Sequence, residues 1–386
     1  MRTVWLDYLR VTACFLVMVV HSTEPFYLGG DGALVLSATD AFWVSVFEGL
    51  SRCCVPIFVM ASAYLQFPLH HSTGEFFRRR AVRVGVPMLL WTVVYALAWG
   101  DPVQNFKGLL LNFNYAAGHL WFVYMLLGLY LLMPLLSPWA EKVSRRELEL
   151  YIGIWLLTTL IPFVREAAGG QPPLIQAADG LPAQALFPLW GEASWNPFGL
   201  FYYVSGFVGY MFVGLYIKRF VPNNRLTGTL GWSFFFVGFV FIVLGFITRI
   251  SASGPFPVSG PVDIAVSWEA AIMFCGLPVA LTAIGLTLAF RRIGASSAAP
   301  AERPFYRHFI LPLAKAGYGM YLMHMLVLAL VSAWLRSVWG IGADGVTGVW
   351  TTPVEILLTA LLSFVLVGLA AVLLQRIPRI GKYIAG

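Results

Sequence analysis

The sequence predicts an all-α polytopic membrane protein with about ten transmembrane helices and both termini in the cytoplasm. Three observations carry this prediction. Of the 386 residues, 59% are hydrophobic and only 11% are charged, whereas a soluble domain carries about 25% charged residues. Apolar segments at or close to the ~20 residues needed to cross a bilayer recur along the whole chain. The basic residues also fall on alternate connections, as the positive-inside rule requires.

The spans follow in order. The first, near 8–27, begins behind Met1 and Arg2 as a secretory signal does. No small-x-small cleavage site follows, and Arg10 and His21 interrupt the apolar run, so this helix is expected to be retained. The second, near 42–66, holds Pro56, which frees a backbone carbonyl one turn earlier. The third, near 83–99, follows an arginine cluster, and the fourth, near 119–138, opens on His119-Leu120-Trp121-Phe122. A short fifth, near 150–164, precedes a Gly-, Pro- and Ala-rich connection over roughly 165–197. The remaining spans are expected near 198–217, 229–250, 269–290, 309–335 and 353–375, the ninth being cut by Pro312 and Gly317. Nothing remains to fold as a separate soluble domain, so residues 1–386 read as one membrane domain.

With the N-terminus inside, the inner side collects Arg2, the cluster Arg78, Arg79, Arg80 and Arg83, and the basic residues near 142–146, 218–225, 291–307 and 376–382. Lys107, Arg165, Arg249 and Arg336 lie outside, and Arg10, Arg52 and Lys315 fall within spans. This spread over five inner connections and tails explains the formal charge of +7 without a nucleic-acid partner. Cys14, Cys53, Cys54 and Cys275 all fall in apolar spans with no disulfide framework or metal-ligand spacing, and read as packing residues.

Ionisable residues inside spans are costly, roughly 2.5–3.5 kcal/mol on insertion scales, and face a bundle interior or a watery cavity. Arg10 and His21 are eleven residues apart, about three helical turns, which places them on one face roughly 16 Å apart along the axis. They propose a polar channel through the membrane. Asp7 can pair with Arg10, and Glu24 follows His21 on the same face. Against this stand a snorkelling arginine and a structural histidine. Glu48 and Arg52, at i,i+4, read either as a self-neutralising pair or as a site. The run Phe76-Phe77-Arg78-Arg79-Arg80-Ala81-Val82-Arg83 suits a phosphorylated ligand, because guanidinium forks grip phosphate oxygens; an anionic-lipid contact fits the charge equally. His119 and Trp121 read as a site or as an interfacial aromatic anchor. Lys315, Tyr318, Tyr321 and His324, at spacings of three, read as a polar stripe along one helix face.

Together these segments resemble the acyltransferase-3 family of integral membrane acyltransferases. Arg10 and His21 match its Arg/Lys-x10-His signature; Val55-Pro56-Ile57-Phe58 through Ser62-Ala63-Tyr64 resembles its VPxFFxxSGY segment. Arg80-x-x-Arg83 followed by Pro87 matches its RxxR element, His119 to Phe122 its HLWF, and Lys315 through His324 its KxSYxIYxxH. Ala63 and Gly317 depart from the pattern by small-residue swaps. Ser51-Arg52 with Val55-Pro56, and Phe201-Tyr202-Tyr203, are most similar to small stand-alone members that O-acetylate bacterial surface glycans.

The resemblance implies a multi-pass enzyme of the bacterial inner membrane that moves an acyl group, acetyl above all, from cytoplasmic acyl-CoA (acetyl-CoA) to a hydroxyl of a polysaccharide or lipid-linked glycan. Polysaccharide synthesis or export proteins would be its partners, and no metal is implied. Arg80 and Arg83, helped by Arg78 and Arg79, would hold CoA phosphates. Arg10 or Tyr321 would stabilise the thioester oxyanion. His21, with Glu24, would serve as base or take the acyl group itself. His119, Trp121, Lys315, Tyr318, His324 and Arg52 would meet the acceptor. Two rivals are a transporter using the same polar channel, against which no second copy of the Arg10–His21 pattern occurs, and a non-catalytic scaffold.

Overall fold

Serine caps set several helix starts. Ser37, Ser72 and Ser144 each accept a hydrogen bond from the backbone N–H three residues on, where Asp40, Glu75 and Glu147 place a carboxylate in the first turn. Asn224 and Thr227 close a capping box. In the computed structural model these signals organise residues 3–29, 32–113, 115–168, 190–191, 196, 198–295, 303–339 and 352–386, the residues described below. Arg2, the side chain of Lys382 and most of the 165–197 connection lie outside them.

The helices are α1 (Val4–Thr23), α2 (Ala38–Ser51), α3 (Cys54–Gln66), α4 (Thr73–Arg80), α5 (Val86–Ala98), α6 (Pro102–Leu109), α7 (Trp121–Lys142) and α8 (Arg145–Ala167). They continue with α9 (Val208–Arg219), α10 (Arg225–Ala252), α11 (Val262–Glu269), α12 (Leu277–Ala295), α13 (Leu311–Trp339), α14 (Thr352–Gln375) and α15 (Gly381–Ile384). A small antiparallel sheet, β1 (Leu28–Gly29), β2 (Gly32–Val35) and β3 (Val258–Pro261), is the one departure from an all-helical fold among the described residues. Its register pairs Leu28 with Ala33, Ala33 with Gly260 and Val35 with Val258, tying the end of α1 to the start of α11.

By length and apolarity eight helical stretches among the described residues can cross a bilayer, and a ninth if α11–α12, bent by 46°, counts as one span. The expected sixth span, near 198–217, is not a full crossing. A 3₁₀ turn over Gly199–Val204 leads into the 12-residue α9, about 18 Å of helix against a ~30 Å hydrocarbon core. Gly206, at φ +76, stops the helix from extending backwards, and the Trp155 indole donates to its carbonyl over 2.8 Å. Conversely, the ninth span is not cut. α13 runs through Gly317 without interruption, and a π-turn at Tyr306–Ile310 leads into Pro312. A matching π-turn at Ala81–Gly85 leads into Pro87. Proline lacks the N–H that closes an ordinary turn and crowds the carbonyl four residues back; the wider π-turn absorbs that fault.

α1 sits centrally, packed against α2, α3, α12, α13 and α14. Its buried residues, Leu6, Leu9, Ala13, Met18 and Val20 among them, belong to the main core. Lipid offers no hydrophobic drive between helices, so close approach of small residues does the joining. A β-carbon on Gly231 would meet the Gly285 carbonyl oxygen at 2.8 Å, and one on Gly238 the Pro278 oxygen at 2.4 Å, which fixes α10 against α12. On α9, a β-carbon on Gly214 would lie 2.5 Å from the Met60 oxygen of α3. The outward faces carry Phe236, Phe241, Leu369 and Leu373, the surface a bilayer requires.

Candidate functional site

Two cavities open on the central helix and share no lining residue. The first, about 420 Å³, is lined by Arg10 and Cys14 of α1, Ser62 and Gln66 of α3, Arg80, Arg83, Tyr130, Tyr318 and Tyr321. The second, about 410 Å³, is lined by His21, Ser22 and Glu24, with Trp99, Ser332, Arg336, Glu355 and Thr359. An eleven-residue step on a helix returns to within about 20° of the same direction, which is why Arg10 and His21 share a face yet open on different cavities.

At the arginine end the side chains are held by named partners. Arg80 Nη2 donates to Gln66 Oε1 over 2.7 Å, Gln66 Nε2 donates to Ser62 Oγ over 2.5 Å, and Ser62 lies 3.5 Å from the Tyr130 hydroxyl. The Arg80 guanidinium lies over the Tyr130 ring at 4.9 Å and the Phe76 ring at 5.2 Å. Its Nε is buried with no hydrogen-bond partner among the described residues. Arg83 sits in the π-turn, exposed and on the cavity wall. Tyr318 fastens this turn, its hydroxyl donating to the Val84 carbonyl over 2.8 Å. Arg10 lies 3.9 Å from Asp7, whose other oxygen accepts from Tyr306 over 2.7 Å. Arg78 and Arg79 point outward and Arg79 pairs with Glu75, so neither joins the cavity.

At the other end His21 Nδ1 and Glu24 Oε1 are 2.8 Å apart. With Nδ1–H donated to the carboxylate, Nε2 carries the lone pair. The His21 ring lies 4.9 Å from that of His324, which in turn lies 5.0 Å from His119 and 5.3 Å from Tyr321. His324 is fully buried, its Nδ1 bonded to the Tyr321 carbonyl and its Nε2 without a partner among the described residues. The Tyr321 hydroxyl donates to the His119 carbonyl. Tyr321, His324 and His119 thus form a buried layer between the two cavities. No group of three or more His, Cys, Asp or Glu among the described residues is placed to hold a metal ion.

Of the six residues expected to meet the acceptor, none lines the histidine-end cavity: Tyr318 lines the arginine-end cavity, His119 and His324 lie in the buried layer, and Lys315, Trp121 and Arg52 lie elsewhere. Lys315 is exposed and lines neither cavity. The helix geometry explains this. A step of three residues falls about 60° short of a full turn, so three steps carry His324 to the side opposite Lys315; only Tyr318, Tyr321 and His324 face the interior. Lys315→Met should therefore leave turnover within twofold of wild type in a thioester-consumption assay, and a larger loss would return Lys315 to the site. Trp121 packs against Phe207 and Phe274 with ring centroids 6.0 and 5.4 Å away. Arg52 is buried outside both cavities. Its Nε donates to the Ile272 carbonyl over 3.2 Å, it lies 3.4 Å from Glu48 and 3.7 Å from Glu269, and its guanidinium covers Phe274.

The residues that motif reading missed are Gln66 and Tyr130 at the arginine end and Trp99, Arg336 and Glu355 at the histidine end. Arg336 and Glu355 stand on different helices with no shared spacing, so no local signal marks them.

A model of the acyltransferase-3 family, described as an acyltransferase domain, matches residues 3–372. The chain belongs to this family. No curated protein and no solved structure matches it. Family membership makes the chain a membrane-embedded acyltransferase, which sets aside the transporter and scaffold readings. In this acyltransferase the Arg10–His21 pair stands on the central helix, and both conspicuous cavities border it.

Proposed function

We propose that this acyltransferase moves an acyl group, most simply acetyl, from acyl-CoA bound at the arginine end to a sugar hydroxyl of a polysaccharide or lipid-linked glycan at the histidine end. In this reading the arginine end faces the cytoplasm of a bacterium and the membrane is its inner one. The observation that carries the proposal is the juxtaposition of a cation-lined cavity and a His–Glu pair across one thin layer of side chains. Arg80 and Arg83 supply guanidinium forks for CoA phosphates, and the long arm of CoA extends along α1 past Cys14 toward Tyr321. A sugar hydroxyl is very weakly acidic, and His21, its tautomer fixed by Glu24, accepts the proton as the oxygen attacks the thioester carbon. The C–O bond forms, the C–S bond breaks, and the sulfur leaves toward the arginine end. A covalent acyl-imidazole at His21 is the alternative order of the same steps. Arg10, one cavity below His21, serves the donor; oxyanion stabilisation by Tyr321 requires its hydroxyl to turn from the His119 carbonyl.

The test is CoA release with radiolabelled acetyl-CoA by protein in lipid nanodiscs, with and without glycan. Arg80→Ala and Arg83→Ala should each weaken CoA binding by about 1.5–3 kcal/mol, roughly ten- to a hundredfold, and lysine should restore part of it. Unchanged CoA affinity in the double-alanine variant, read by calorimetry, assigns these arginines to lipid contact and removes the donor site.

A further inference from the structure

The cavity that His21 lines carries a second polar pair that the proposed reaction does not use. Arg336 of α13 and Glu355 of α14 meet there, with Arg336 Nε donating to Glu355 Oε1 over 3.2 Å. The Glu355 side chain is 10% exposed, but Arg336 keeps 34% of its side chain accessible, and both line the same cavity as His21 and Glu24. A guanidinium has five donors, and this contact uses one; no other acceptor meets Arg336 among the described residues. Trp99 lines the same cavity. Its backbone is pinned because Asn105 donates to the Trp99 and Ala96 carbonyls, and its ring packs on Tyr95 at 4.8 Å. A plain tie between α13 and α14 would explain the ion pair alone. It does not explain why the pair opens on a cavity that an indole and a His–Glu pair also line.

We infer that Arg336, Glu355 and Trp99 form a subsite for an uncharged, hydroxyl-rich sugar ring of the acceptor. The inference rests on the reading of the histidine end as the acceptor side and adds the class of acceptor. A carboxylate accepts from hydroxyls and a guanidinium donates to them, so neighbouring hydroxyls of one ring satisfy both members of the pair. The flat apolar face of the indole covers the C–H face of the same ring. Charge sets the class. Among the described residues, the carboxyl and guanidinium side chains lining the cavity are Glu24, Glu355 and Arg336, two acidic groups to one basic. An anionic ring such as a uronate meets like charge on two sides, and rejection by like charge is how sites discriminate.

Binding and turnover test this separately on the full chain in nanodiscs. Saturation-transfer NMR with neutral hexasaccharides (cello- and malto-) and with a hexagalacturonate reads binding without chemistry. The neutral probes should bind at least tenfold more tightly than the uronate. Glu355→Gln, Arg336→Gln and Trp99→Ala should each weaken neutral binding at least tenfold while the calorimetric Kd for CoA is unchanged. The charge swap Arg336→Glu with Glu355→Arg keeps an interhelical pair, so a purely structural tie predicts wild-type melting and wild-type glycan binding; the subsite predicts wild-type melting with binding lost. Equal glycan binding in the swap and the wild type, or preference for the uronate, overturns the inference. Glycan binding with these properties but no thioester consumption by the wild type would instead overturn the proposed reaction and leave the subsite standing.

Discussion

His21→Gln is expected to abolish acyl transfer, by at least the ~10²–10⁴-fold typical of a removed general base, while the protein should melt as wild type. Glutamine can donate an N–H to Glu24, now met by Nδ1 at 2.8 Å, so the local hydrogen bond and the turn around it survive. It has no basic lone pair to accept the hydroxyl proton. Glu24→Gln tests the same pair from the other side: the imidazole loses its anionic partner, and turnover should fall about tenfold at unchanged CoA affinity. Measured by thioester consumption and thermal unfolding in parallel, wild-type turnover in His21→Gln would leave His21 as a structural histidine and the mechanism without a base.

The largest effect on stability is expected at Arg52. Its guanidinium lies between Glu48, which is 0% exposed, and Glu269. Glu48 also accepts from Thr23 over 2.6 Å and Glu269 from Tyr27 over 2.8 Å, so one cation organises α1, α2 and the α11 end of the bent span. Arg52→Met leaves two carboxylates without their cation, and breaking a buried pair from one side costs about 3–5 kcal/mol. The variant should yield little folded protein in detergent. Glu48→Gln with Arg52→Met should recover a substantial part of that loss, because the most deeply buried anion is gone. A single Arg52→Met variant with wild-type melting would mean that the cluster is not the junction described here.

The membrane fold was legible because hydrocarbon imposes one strong rule, a long apolar helix, and the chain obeys it at Arg225–Ala252 and Thr352–Gln375 without ambiguity. Hydropathy alone does not see a backbone break, so it extended a crossing over residues 198–217 that Gly206 stops short. The Arg10–His21 face was legible because eleven residues fit three turns. The Lys315–His324 stripe was misread because steps of three accumulate their angular error. Arg52 drew attention as an intramembrane cation, yet its partners, Glu269 and the Ile272 carbonyl, lie more than two hundred residues away, beyond any spacing rule. An even longer stretch of sequence separates His21 and His324, whose contact only the folded bundle reveals.

Water is the most abundant hydroxyl any acyl donor can meet, and a thioester open to it would be hydrolysed before a scarce sugar arrived. In this protein His21 is backed by His324, and behind that stand Tyr321 and His119, all three buried, with the Tyr321 hydroxyl and the His324 Nδ1 already committed to backbone carbonyls. On the proposed mechanism that buried layer acts as a leak barrier. The bonds that seal it are the ones an incoming acceptor has to loosen, so futile hydrolysis is restrained by the same few side chains that admit the productive attack.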